Sequence, residues 1–129
     1  MKNLIFVILT SLLSISACSK QKTQMYQTVF YVPMNAETFT PITENNIEEK
    51  GTKKKSRSKK HNFHNFIHQL HLRGVPGKID SDKIRVKYIF KDKFVLIDSS
   101  GVILIDGVEK RTDKHGIKSI EKFILHFFR

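Results

Sequence analysis

Apolar and polar positions recur with more than one period along this chain, and the changes of period mark out its elements. From Leu4 to Leu13 almost every residue is apolar. Residues 28–32 are β-branched or aromatic throughout, which predicts a strand stopped by Pro33. Thr40-Pro41, the acids after them and Gly51 predict a short helix ending near Lys50, with its cap at Thr40 or equally at Thr43. Between 61 and 73 the period becomes helical: Phe63, Phe66, Ile67 and Leu70 fall on one arc at 100° per residue, closed by Gly74 and Pro76.

After a turn over 77–82, strands are expected at 84–90, 94–98 and 102–105, with Ser99-Ser100-Gly101 as a tight connection. Asp106-Gly107 is a hairpin signal leading into a fourth strand at 108–111. Ile117, Ile120, Ile124 and Phe127 then recur at intervals of three, four and three, the buried face of a helix beginning near Lys114.

Helices around an uninterrupted run of strands point to the α+β class: an antiparallel meander of about four to five strands with two main helices on one face. The domain plan is an export signal over 1–17, a lipidated cysteine and flexible tether over 18–27, and a single α+β domain over 28–129. In the central hairpin, 94–97 and 102–105 are apolar at every position, so both of its faces require cover. The two helices supply one face. For the other, cover from within the chain is expected, with homo-oligomerisation or a ligand on this apolar hairpin face as the alternative.

Charge adds a partner to this picture. Lys and Arg number 23 against 12 acidic residues, a net charge of +11. Such a balance favours an anionic partner, either an acidic protein or an anionic component of a cell envelope. The single cysteine, Cys18, permits no internal disulfide, so the fold stands without staples.

The apolar stretch ending at Ala17 would span about 21 Å as a helix, short of the roughly 30 Å hydrocarbon core, and it follows the positive Met1-Lys2-Asn3. It reads as an export signal. Ile15-Ser16-Ala17-Cys18 resembles the bacterial lipobox, a branched aliphatic residue and two small ones before cysteine. The resemblance covers residues 1 to about 20 and implies lipid on the Cys18 sulfur with cleavage between Ala17 and Cys18. It also implies a membrane anchor of two or three acyl chains, which holds stably where one chain does not. Ser19, where an aspartate would retain such proteins at the inner membrane, implies the outer membrane facing the periplasm. Export leaves nucleic acid as an unexpected partner, and no cofactor beyond the covalent lipid is expected.

Two further patterns invite chemistry. His61, His64, His68 and His71 are spaced three, four and three, an arc of about 80° on the helix. His64, His68 and His71 have the spacing of a chelating set, but the adjoining Lys59, Lys60 and Arg73 oppose a cation and no carboxylate lies near in sequence, so a hydrated face is expected and no metal is favoured. The run over 50–60 is basic and lacks acids: Lys53, Lys54, Lys55, Arg57, Lys59 and Lys60 are the candidate contacts to an anionic partner, on a solvated loop or an edge strand guarded by lysines. No phosphate loop, nucleophile elbow or metalloprotease signature is present, and Asp98 and Asp106 read as turn residues. A lipid-anchored binding protein, not an enzyme, is therefore expected. Its competitors are an immunity or inhibitor lipoprotein acting against a periplasmic toxin or wall hydrolase, and a periplasmic metal-handling protein.

Overall fold

Strand-forming and lysine-rich segments alike join one antiparallel sheet. The computed structural model describes residues 27–56 and 62–128. Its strands are β1 (Gln27–Tyr31), β2 (Thr52–Ser56), β3 (Val75–Pro76), β4 (Ile84–Phe90), β5 (Lys93–Asp98), β6 (Val102–Ile105) and β7 (Val108–Arg111). They lie in the order β2-β1-β4-β5-β6-β7-β3, every neighbour antiparallel. The α+β class is as expected, but the sheet has seven strands instead of four to five. The two additions sit at its margins. β2 arises from the lysine run, and β3 is a two-residue strand pairing with Arg111 and Lys110. Neither has a strong strand composition; each is held by the ladder beside it.

The helices are α1 (Ile47–Lys50), α2 (Asn62–Arg73) and α3 (Lys114–Phe127). The main two match expectation. The first is shorter than either predicted start allows, because the Asn46 side chain accepts the Thr43 N–H at 2.7 Å and donates to the Pro41 carbonyl at 2.9 Å. These bonds brace the turn at 44–46, and the helix begins only after Asn46. The N-terminus of α3 is capped by Asp113, whose carboxylate accepts the Gly116 N–H at 2.7 Å.

Both sheet faces are covered from within the chain. On one, α2 and α3 lay Phe63, Ile67, Ile120 and Ile124 over Val86, Tyr88, Val95, Ile97 and Ile103. On the other, Ile42 and Ile47 pack with Phe30, Ile84 and Leu96. The all-apolar hairpin is thereby buried on both sides apart from Leu104, which is half-buried, and Phe94, which is 45% exposed. A bulge allows this double use of β4: Ile84 pairs with Asp98 and Val86 with Ile97, leaving Arg85 as the extra residue. Its buried guanidinium donates to the carbonyls of Ile84 and Ala36, tying the covering segment to the strand.

The β5–β6 turn is organised by Asp98, which is fully buried. Its carboxylate accepts the N–H groups of Asp80, Ser100 and Val102 and the Ser100 hydroxyl, at 2.8–3.0 Å. Gly101 has φ +90, and a β-carbon there would meet the Ile117 side chain at 2.8 Å, so glycine both makes the turn and lets α3 approach. Asp106 and Gly107 have φ values of 49 and 78, the two left-handed residues of the expected hairpin turn. Among the described residues no helix is long and apolar enough to cross a membrane.

Candidate functional site

The proposed anionic-partner residues divide at the boundary of the described chain. Lys53, Lys54 and Lys55 lie on β2, whereas Arg57, Lys59 and Lys60, like Ala17, Cys18 and the lipobox, lie outside the described residues. The register fixes what β2 presents: Lys53 pairs with Phe30, Lys54 with Val29 and Lys55 with Thr28. Alternation along the strand sends Lys53 and Lys55 to one face of the sheet and Lys54 to the other. Lys53 and Lys55 are exposed, and the ammonium of Lys53 stands 5.9 Å over the Phe30 ring. Of the two forms open from sequence, loop or edge strand, this segment takes the second. Among the described residues, no strand lies on its outer side.

Of the four histidines of the stripe, His61 lies outside the described residues, and the other three do not act together. His64 and His68, one turn apart, have ring centroids 4.2 Å apart, and His64 lies 4.9 Å from the Phe90 ring. His71 is engaged elsewhere, its Nε2–H donating to the Val108 carbonyl at 2.9 Å, which docks the end of α2 on β7. Among the described residues no group of three or more His, Cys, Asp or Glu side chains has metal-holding geometry. The expected hydrated face is instead half-buried against the sheet at His64, His68 and His71.

Under the first turns of α2 is a cavity of about 360 Å³. His64 and His68 form its helix side, with Tyr88 and Phe90 of β4, Val95 of β5 and Ile105 of β6 on the sheet side. Exposed residues Lys91, Asp92, Lys93 and Asp106 complete it. Lys91 occupies the left-handed region at φ 56, in the two-residue turn between the paired Phe90 and Lys93, a conformation that costs a side-chain-bearing residue energy. Its ammonium stands 5.4 Å over the Phe90 ring.

Tyr88 is the unusual member of this wall. It is 1% exposed, with the Phe63 ring edge-on at 4.9 Å, and among the described residues its hydroxyl has no hydrogen-bond partner. Burial raises the hydroxyl's pKa well above that of an ordinary tyrosine, because the phenolate would be desolvated. The Tyr31 hydroxyl is raised too, by burial first and then by the Glu121 carboxylate. Tyr88 was not among the candidate residues expected from sequence, although a signal for it is present there. Val86, Tyr88 and Phe90 alternate onto one face of a strand, so a polar tip was bound to point among apolar neighbours.

Comparison of the chain with known protein families, with curated proteins and with solved structures finds no match.

Proposed function

We propose that this chain is a lipid-anchored protein of the bacterial envelope, facing the periplasm, whose domain binds an extended acidic segment of another protein along β2. The observation that carries the reading is the position of Lys53, Lys54 and Lys55 on the outermost strand. An edge strand offers its outer N–H and C=O groups to an incoming strand, and that backbone ladder supplies affinity. Consecutive lysines supply selectivity, since a strand with acids at successive positions meets a positive charge on either face. Lysines on an edge also discourage pairing with unselected strands. The two effects are compatible, because a neutral partner is repelled from desolvating lysines that an acidic one neutralises.

A second reading rests on a separate observation. Gln27, at the end of the tether, pairs with Ser56, the residue before Arg57. Arg57, Lys59 and Lys60 follow Ser56 in sequence and lie outside the described residues; at a membrane surface, anionic headgroups would attract each cation by about 1 kcal/mol.

The test is the Lys53→Gln, Lys54→Gln, Lys55→Gln triple variant against a peptide carrying Thr-Glu-Glu-Glu-Thr and its glutamine counterpart. At about 20 mM salt the variant should bind the acidic peptide roughly tenfold more weakly, with the difference vanishing near 0.5 M as the Debye length contracts. Melting should be nearly unchanged, since Lys53 and Lys55 are exposed, Lys54 is half-buried, and surface substitutions of this kind stay within about 0.5 kcal/mol. Equal binding by variant and parent at low salt rejects the edge as the docking element. Binding to vesicles with anionic lipid that survives the triple substitution supports the headgroup reading for Arg57, Lys59 and Lys60 alone.

A further inference from the structure

The backbone of β2 makes its three lysines unequal. Just beyond β1, Val32 donates its N–H to the Arg85 carbonyl at 2.8 Å, continuing the register that sets Tyr31 opposite Val86 of β4. Successive residues of a strand turn their N–H and C=O groups to opposite sides, so Thr28 and Phe30 face β4, and Gln27, Val29 and Tyr31 face β2. Their partners Ser56, Lys54 and Thr52 are thereby bonded inward to β1. The N–H and C=O groups of Lys53 and Lys55 point outward. We propose that an incoming acidic strand is read on one face of the sheet, by Lys53 and Lys55, and carries its acids two residues apart, as Glu-x-Glu. This rests on the reading of β2 as the docking edge.

Side chains and backbone agree on those two residues. A strand added to this edge, in either direction, bonds to the outward groups of Lys53 and Lys55, and its residues opposite them are two apart and share their face. That face is the one on which Phe30 packs with Ile47 of α1. Lys53 and Lys55 are exposed there, and the ammonium of Lys53 is kept on it by the Phe30 ring, 5.9 Å away. Lys87, also opposite Phe30, is paired with Glu48 at 3.1 Å, whereas among the described residues Lys53 and Lys55 form no ion pair. Their charges are left for a carboxylate from outside. Lys54 differs: its N–H and C=O are bonded inward, and its side chain is half-buried on the face of Val29, which carries α2 and α3. An acid set opposite Lys54 gives up hydration there, which offsets its attraction to the lysine.

Two end-capped peptides of equal charge isolate the spacing: Thr-Thr-Glu-Thr-Glu-Thr-Thr, and Thr-Thr-Glu-Glu-Thr-Thr-Thr, whose acids fall on opposite faces. The full chain is held in nanodiscs of zwitterionic lipid at about 20 mM salt, where surface charges are weakly screened, and amide exchange is followed by NMR. The spaced peptide should bind about two- to fivefold more tightly, the range of one cross-strand charge pair. It should slow exchange at the Lys53 and Lys55 amides and leave Lys54, already bonded to β1, unchanged. In Lys55→Gln the two peptides should bind about equally, and in Lys54→Gln the preference should persist. A preference that survives in Lys55→Gln, or one lost in Lys54→Gln, overturns the proposal. Equal affinities in the parent, with the Lys53 and Lys55 amides protected, overturn the one-face reading and leave the docking edge standing. Binding of neither peptide, with no β2 amide slowed, overturns both.

Discussion

Replacing Tyr88 by phenylalanine removes one oxygen from the most buried aromatic cluster and should make the protein more stable. Tyr88 is 1% exposed, and Phe63 and Phe128 meet it edge-on at 4.9 and 6.5 Å, contacts that a phenylalanine ring retains. Its hydroxyl has no partner among the described residues, and a buried group in that condition costs about 1–3 kcal/mol. Removing it should therefore raise the urea midpoint, with a gain of about 1 kcal/mol corresponding to roughly 4–8 °C in Tm for a domain of this size. The pH dependence gives an independent check. Burial holds the folded-state pKa of this hydroxyl above its unfolded value of about 10. Below pH 10 both states keep the proton and stability is unaffected. Above it the unfolded chain releases the proton first, so stability falls by about 1.4 kcal/mol per pH unit until the folded hydroxyl also ionises. Tyr31, raised in the same direction, titrates in both proteins and cancels in the difference. Urea unfolding of parent and Tyr88→Phe at pH 8, 10 and 11 should show a gap that widens in favour of the variant above pH 10. A variant less stable than its parent by about 1 kcal/mol, or a gap independent of pH, would refute the assignment of an unsatisfied, buried hydroxyl.

Other substitutions test other links. Asp98→Ala strips a turn of the four hydrogen bonds made by its fully buried carboxylate and should cost at least about 3 kcal/mol in urea unfolding, whereas a loss under 1 kcal/mol would mean the turn holds itself. Cys18→Ser should abolish acyl labelling and leave uncut precursor; normal processing of that variant would remove the lipobox from the proposal.

Much of the domain was legible because its signals were local. The run from Ile84 to Arg111 combined apolar alternation with turn chemistry at Ser99-Ser100-Gly101 and Asp106-Gly107, and each prediction there matches a strand or turn. The C-terminal helix likewise carried its own periodicity. What was illegible depends on partners distant in sequence. Lysines at 53–55 disfavour a strand until β1 supplies a ladder, and Val75–Pro76 becomes a strand only beside Arg111 and Lys110. Strand β1 also starts at Gln27, one residue inside the expected tether, because Gln27 is flanked by Ser56 and Phe90 and is 2% exposed. For the candidate sites, the spacing of the histidines was visible, but not that His71 turns to Val108 while His64 and His68 close a cavity over Tyr88. Helical spacing fixes which residues share a face; it does not fix what that face meets.

Hydrogen exchange at the backbone amides of β2 addresses the proposed docking edge most directly. An acidic strand added to this edge gives the outward N–H groups of Thr52–Ser56 new acceptors, so their exchange should slow when the Thr-Glu-Glu-Glu-Thr peptide is added at low salt. The protection should be lost at 0.5 M salt and be absent with the glutamine peptide. Unchanged exchange in β2 at saturating acidic peptide, or equal protection by the neutral peptide, would contradict recognition of an acidic segment at this edge.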